Sequence, residues 1–265
     1  MTLLMYYEFR LKGASLLRQG VREAVKIGLT NIYTSQDIVS KTWQIGGTLS
    51  EPPPKNLKHM TLNMQTEEID WRGQSALHSP FFKKGKIHVP LKEFSDLEGE
   101  FILEPGAGFG DLSHPTTRLC LRQLWYYAGS RYVLDIGCGN GVLAIAASCF
   151  GAIHAHGIDI DPAAIVHADT NKDLNKRSNI TFSQNTDIAL PENSQWLGLM
   201  NMTRLEQQIA WNGLEKKQPQ IDTLITSGIL LEQKEQYLSW AKQNEWEVIS
   251  IQEEEGWLGF YIKCK

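Results

Sequence analysis

At 265 residues the chain is long enough for one large domain, or for a small one joined to a medium one. Its 42% hydrophobic and 21% charged content is that of a globular protein rather than a disordered or fibrous one. A formal net charge of −4 with no basic stripe argues against nucleic-acid binding and is compatible with a basic protein partner.

No apolar run approaches the length of a membrane span, and the opening MTLLMYYEFRLK is too short and too polar for a secretory signal. Cys120, Cys138, Cys149 and Cys264 show neither C-x-x-C pairing nor histidines at zinc spacing. These features predict a cytoplasmic chain with reduced thiols, no metal, no membrane association and no direct contact with nucleic acid.

The first 50 residues read as a small α/β unit. Residues 4–11 hold strand-forming aromatics, and Leu16, Leu17, Val21, Ala24 and Val25 fall at helical spacing. Gly28 stops that helix, and residues 31–34 fit a second strand. A β-α-β opening suits a ferredoxin-like unit. The run Glu51-Pro-Pro-Pro-Lys signals a linker, because consecutive prolines continue neither a helix nor a ladder. The expected organisation is a small domain over 1–50, a linker region over 51–95 and a larger domain over 96–265. Within the linker region, residues 87–89 fit a strand, and His78 and His88 read as surface or structural histidines.

Residues 100–127 (EFILEPGAGFGDLSHPTTRLCLRQLWYY) place Gly106, Gly108 and Gly110 in a loop that feeds a helix opening at Pro115. Leu121, Leu124, Trp125 and Ala128 form the buried stripe of that helix. Phe109, His114, Thr116 and Thr117 crowd recognition-type side chains together, so the loop reads as a lid over a ligand. An ordinary loop capped by Ser113 is the plainer alternative.

The stretch 131–161 (RYVLDIGCGNGVLAIAASCFGAIHAHGIDID) organises the rest. A buried strand ends in Asp135, and the turn Gly137-Cys138-Gly139-Asn140-Gly141 follows. After it come an apolar helix and a second strand ending in Asp159, Ile160 and Asp161. Glycines at that turn let a backbone approach a ligand at a helix N-terminus, and an acid ending the second strand is placed for ribose hydroxyls. The dinucleotide fingerprint needs a third glycine at position 142, which is Val142. The observed G-x-G-x-G, with an acid two residues upstream, is the pattern of S-adenosylmethionine-dependent methyltransferases. Asp135 suits an ammonium and would repel a phosphate.

Downstream, residues 162–175 form a helix and 180–183 a strand leading to Thr186 and Asp187, where adenine contact and a plain turn are equal readings. Residues 196–201 form a strand ending in Asn201. A helix over 203–210, a strand over 221–226, a helix over 230–243 and a closing antiparallel pair (246–252 with 257–263) complete the chain. Glu253, Glu254 and Glu255 read as a solvated hairpin tip. The alternation describes a Rossmann-like seven-stranded class I methyltransferase sheet.

FILEPGAGFGDLSHPTTRLCL, VLDIGCGNGVLAIAASCFGA, GIDIDPAA, LMNM and LITSGILLEQKE together resemble the PrmA-type methyltransferases, which modify ribosomal protein eleven of the large subunit. The resemblance covers residues 100–265 and, more faintly, 70–90. It implies methyl transfer from S-adenosylmethionine to lysine ε-amines and an α-amine of a basic ribosomal protein. It also implies that Phe109, His114 and Asn201 serve the acceptor. Thr116, Thr117, Asp135, Gly137, Cys138, Gly139, Gly141, Asp159, Ile160, Asp187 and Asn201 would hold the cofactor. Two departures stand out: Asp111-Leu112-Ser113 intervenes before His114, and Met200-Asn201-Met202 replaces the family's A-N-I. The alternatives are a methyltransferase for another protein, an RNA or a small molecule, and an inactive cofactor-binding interaction module. The N-P-P-[FY] motif of amide and adenine methyltransferases is absent after Asn201.

Overall fold

The computed structural model describes residues 5–36, 42–66, 71–106, 108–184, 191 and 194–264. The chain divides into two compact units, Met1–Asp70 and Trp71–Lys265.

In the first unit β1 (Met5–Leu11), α1 (Leu17–Lys26), β2 (Thr30–Gln36), β3 (Trp43–Leu49) and β4 (Met60–Thr66) build a sheet of order β2-β3-β1-β4 with every neighbouring pair antiparallel. Tyr7, Phe9 and Leu11 alternate into a core with Ile45, Leu49, Met60 and Ala24. Gly28 leaves the helix at φ +84°, the left-handed conformation glycine adopts without strain. A ferredoxin-like unit carries a second helix between its third and fourth strands. Here residues 50–59 make that connection without a helix, since Pro52, Pro53 and Pro54 lack the N–H groups one needs.

The segment expected as a linker, 51–95, is therefore divided between the units. Leu57 and Met60 are buried in the first core, and the Glu23 carboxylate accepts the backbone N–H groups of Lys58 and His59 at 2.6 and 2.8 Å. These contacts tie the proline run to its own sheet.

The second unit opens with α2 (Trp71–His78) and a small antiparallel sheet of β5 (Phe82–Lys83), β6 (Lys86–Pro90) and β7 (Glu100–Leu103) in that order. His88 lies on β6 against Glu100, Nδ1 to Oε1 2.8 Å. Strand β7 is absent from the sequence expectations, because four residues are too few for periodicity to show.

The main elements follow: α3 (Pro115–Tyr127), β8 (Tyr132–Ile136), α4 (Val142–Cys149), β9 (His154–Ile158), α5 (Pro162–Leu174), β10 (Ile180–Ser183), β11 (Trp196–Asn201), α6 (Arg204–Gly213), β12 (Ile221–Leu230), α7 (Lys234–Gln243), β13 (Glu247–Glu254) and β14 (Trp257–Lys263). Their sheet has the order β10-β9-β8-β11-β12-β14-β13. The first five strands run parallel, and β14 is antiparallel to both of its neighbours.

Period-two alternation puts Val133, Leu197 and Leu199 into the core under α3 and α4. Leu134, Trp196 and Met200 enter the opposite core with Trp211 and Tyr237. Helix α4 is buried from Val142 to Ser148, and each large aliphatic side chain there contributes about 1.5–3 kcal/mol. Strand order reverses between β8 and β11, which opens a crevice at their carboxyl ends.

Glu254 and Glu255 are not a free solvated tip. Arg118 of α3 donates to Glu254 at 2.7 Å and to Glu255 at 2.8 Å, and Arg122 also pairs with Glu254. Burial alone would raise the Glu254 carboxyl, but the hydrogen bonds from Arg122 and Arg118 outweigh it and hold the pKa below its ordinary value.

Candidate active site

The glycine turn after β8 forms the floor. Gly137, Gly139 and Gly141 have φ of +72°, +53° and +80°. A Cβ on Gly139 would lie 2.6 Å from the Phe109 carbonyl oxygen, and one on Gly137 2.4 Å from Met202 Cε. The turn is thus closed on two sides, by the 105–113 loop and by the residue following Asn201. Asn140 is buried, its side-chain oxygen accepts the Val142 N–H at 3.0 Å, and its own N–H donates to the Phe109 carbonyl at 3.1 Å.

Asp135 lies beneath the turn, 1% exposed, and accepts the Ala144 N–H at 3.2 Å in the first turn of α4. Burial raises its pKa to about 7, helped by the negative charge of Asp159 and opposed by the Ala144 bond. Asp159 is half-buried at the end of β9 and accepts the N–H groups of Gly139 at 2.9 Å and Asp161 at 3.0 Å. Asp161 is the N-cap of α5, accepting from Ala163 at 2.8 Å ahead of Pro162. Between the two acids, Ile160 is 93% exposed, an apolar side chain held at the mouth of the crevice.

The loop from β7 to α3 lies directly on this floor. A Cβ on Gly108 would meet the Asn140 nitrogen at 2.7 Å. The intervening Asp111-Leu112-Ser113 anchors the far end of the loop. Leu112 is fully buried at φ +67°, Asp111 accepts the Ser113 N–H at 3.0 Å, and Arg118 donates to the carbonyls of Leu112 and Ser113 at 3.0 Å each.

His114 caps α3, and its Nδ1 accepts from the Thr116 hydroxyl at 2.8 Å and the Thr116 N–H at 3.4 Å. Its ring meets Phe109 edge-on at 5.7 Å and Trp257 at 4.7 Å between centroids. Burial, and then the Arg118 charge, lower the His114 pKa, so the ring is neutral at pH 7 with its acceptor nitrogen already engaged.

Thr117 is fully buried and its Oγ1 accepts from Asn201 Nδ2 at 3.2 Å, which joins α3 to the end of β11. Asn201 Oδ1 is buried and, among the described residues, has no hydrogen-bond partner. Behind it, Gln207 Nε2 donates to the carbonyls of Met202 at 2.9 Å and Ser227 at 2.8 Å. Tyr237 donates to Gln207 Oε1 at 2.9 Å and pairs with Thr226 at 2.7 Å. Gly228, at φ +95°, must be glycine because a Cβ would lie 2.2 Å from the Met202 oxygen.

The site residues expected from sequence thus fall in two groups. Asp135, Gly137, Cys138, Gly139, Gly141, Asp159 and Ile160 surround the turn, and Phe109, His114, Thr116, Thr117 and Asn201 form the wall beside it. Thr186 and Asp187 lie outside the described residues. Trp257, Gln207 and Tyr237 join the site without having been singled out, because each sits in an otherwise ordinary strand or helix pattern.

A sheet of this order, with a glycine turn and a distal acid at its switch point, defines a class I S-adenosylmethionine-dependent methyltransferase. The profile of the family described as ribosomal protein L11 methyltransferase (PrmA) matches residues 19–265. The chain belongs to that family. The ribosomal protein L11 methyltransferase of Polynucleobacter necessarius subsp. necessarius is 30% identical over 236 residues, covering 84% of this chain and 67% of that protein. The one from Clostridium botulinum is 31% identical over 75% of this chain and 66% of its own length. The protein of the same name from Caldanaerobacter subterraneus is 29% identical over 95% of this chain and 83% of its own. The chain thus spans about two thirds of the length of several curated relatives it matches. The crystal structure of ribosomal protein L11 methylase from Lactobacillus delbrueckii subsp. bulgaricus superposes with a TM-score of 0.56 at 23% identity. It covers 67% of this chain and 98% of that one, a likeness of fold.

Proposed function

We propose that this chain transfers methyl groups from S-adenosylmethionine to amino groups, lysine ε-amines and an α-amine, of a basic ribosomal protein, the L11 named in its relatives. The observation that carries this reading is the buried Oδ1 of Asn201, unpartnered among the described residues. A lone acceptor left without a donor costs about 1–3 kcal/mol, and an amine N–H relieves it.

The residues fit the cofactor. Asp135 is a buried carboxylate suited to an ammonium, Asp159 ends β9 where hydroxyls bind, and the exposed Ile160 offers an apolar face to a base. Gly137, Cys138, Gly139 and Gly141 allow close backbone approach, and Thr116 and Thr117 support the wall. Bound S-adenosylmethionine supplies a methyl group on a cationic sulfonium.

A free lysine, with a pKa of about 10.4, must lose a proton before its lone pair is available. Phe109, Trp257 and His114 present a ring-lined wall whose low polarity favours the neutral amine, and Asn201 Oδ1 orients it. His114 is a poor base because Nδ1 is taken by Thr116, so its role is to shape the wall. The net charge of −4 suits a basic protein client.

Label transfer from S-adenosylmethionine to purified L11, followed by mass mapping, tests the assignment. Methyl groups on lysine and the N-terminus are expected. Transfer to RNA or a small molecule alone would overturn the substrate, and cofactor binding without transfer to any acceptor would favour an interaction module.

A further inference from the structure

Helix α5 and its C-cap residue carry His167, Asn171 and Asn175 at i, i+4 and i+8, along a single face. That stripe meets the outer edge of β7, the last strand of its sheet. Asn175 donates to the Ile102 carbonyl at 2.6 Å and accepts the Ile102 N–H at 2.8 Å. Asn171 accepts the Glu104 N–H at 2.7 Å and donates to the Asn140 carbonyl in the glycine turn at 2.9 Å. His167 completes the ladder: Nε2–H donates to the Glu104 carbonyl at 2.7 Å, and Nδ1 accepts the Gly108 N–H at 3.1 Å. Gly106 lies so close that a Cβ there would be 2.6–2.9 Å from three atoms of the imidazole. Side chains of a helix thus take the place of a missing neighbour strand and carry the chain from β7 onto the turn.

We propose that His167 is a positioning residue for the cofactor site. Its neutral imidazole, bridging Glu104 and Gly108, holds the glycine loop on the turn, and protonation of Nδ1 releases that loop. This rests on the reading of the turn as the cofactor site. Both ring nitrogens are committed, one as donor and one as acceptor, which only the neutral ring permits. A proton on Nδ1 would face the Gly108 N–H and break that bond.

Among the described residues the charged group facing the ring is Glu104, itself paired with Arg72 from α2 and Lys86 from β6. Burial lowers the His167 pKa and outweighs the Glu104 carbonyl bond and charge, which pull the other way. The ring is therefore still neutral at its ordinary value of about 6.5, and the bridge fails as pH falls further, through the lowered pKa of the folded chain.

The test compares wild type, His167→Ala and His167→Gln, each checked for folding by thermal melting. Affinity for S-adenosylhomocysteine is measured calorimetrically at pH 8 and pH 5, and hydrogen exchange of the Gly108 amide is measured without ligand. His167→Ala is expected to bind about tenfold more weakly at pH 8, the loss of one to two net hydrogen bonds, with faster Gly108 exchange. His167→Gln, a neutral donor and acceptor at either pH, recovers most of that affinity. It also loses less than wild type between pH 8 and pH 5, the remaining slope belonging to other titrating groups of the site such as Asp135 and His114. Unchanged affinity and unchanged Gly108 exchange in His167→Ala would overturn the proposal. If wild type does not bind S-adenosylhomocysteine, the cofactor reading fails, and Gly108 exchange still decides whether His167 holds the loop.

Discussion

Asn201 donates its Nδ2 to Thr117 Oγ1 across the gap between β11 and α3, and this bond aims the opposite, unpartnered oxygen of the same amide. The amide is fixed by a fully buried threonine, so Oδ1 is held before any acceptor arrives. Asn201→Ala should lower turnover about 100-fold while changing the cofactor Kd less than threefold, because it removes orientation of the amine rather than cofactor contacts. Single-turnover kinetics with parallel calorimetry will separate the two. An equal loss in binding would make Asn201 a cofactor ligand.

Asp135 predicts a pH dependence of opposite sign to the usual carboxylate. Its pKa rises from 3.8 to about 7 in the folded chain, so the folded state binds the proton more tightly than the unfolded one. The associated stability is present below about pH 4 and is lost as pH rises through about 7. Asp135→Asn should therefore stabilise the ligand-free protein at pH 8 by a few kcal/mol, at 1.36 kcal/mol per unit, and far less at pH 4. Urea unfolding at the two pH values measures this. The same variant should lose the rise in S-adenosylhomocysteine affinity expected as Asp135 ionises.

Asp159 supports the turn as well as facing the crevice. Asp159→Ala leaves the Gly139 and Asp161 N–H groups without their acceptor. Half-exposure lets water replace part of that loss, so about 1–2 kcal/mol of stability should go, with at least tenfold weaker cofactor binding and the fold retained. Unchanged affinity by calorimetry would remove Asp159 from the site.

Tyr237→Phe should cost about 1–3 kcal/mol, because its hydroxyl bonds Gln207 and Thr226 in a fully buried network. Gln207 holds the Met202 and Ser227 carbonyls, so turnover should fall without a matching change in cofactor affinity. A stability loss with unaltered turnover would mean that the network supports the fold alone.

What the sequence by itself determined is local. The run Tyr132–Ile136, the glycines at 137, 139 and 141, and the acid at 159 are set by strand alternation, by positive φ and by the chemistry of a turn that a ligand must approach. Each of these depends on residues near in sequence, so each is legible there. The proline run at 52–54 was equally plain as a break in regular structure. Whether it separates domains or joins β3 to β4 depended on Leu57 and Met60 finding the first core.

Tertiary structure alone decided the rest. The Gly108–His167 bond spans 59 residues, Asn201–Thr117 spans 84 and Arg118–Glu254 spans 136. His167, Asn171 and Asn175 look in sequence like the polar side of a surface helix. They become a substitute strand edge because the order of the small sheet leaves β7 open on the side where α5 packs. A buried backbone edge must find partners, and which side chains supply them is settled by packing rather than by local pattern.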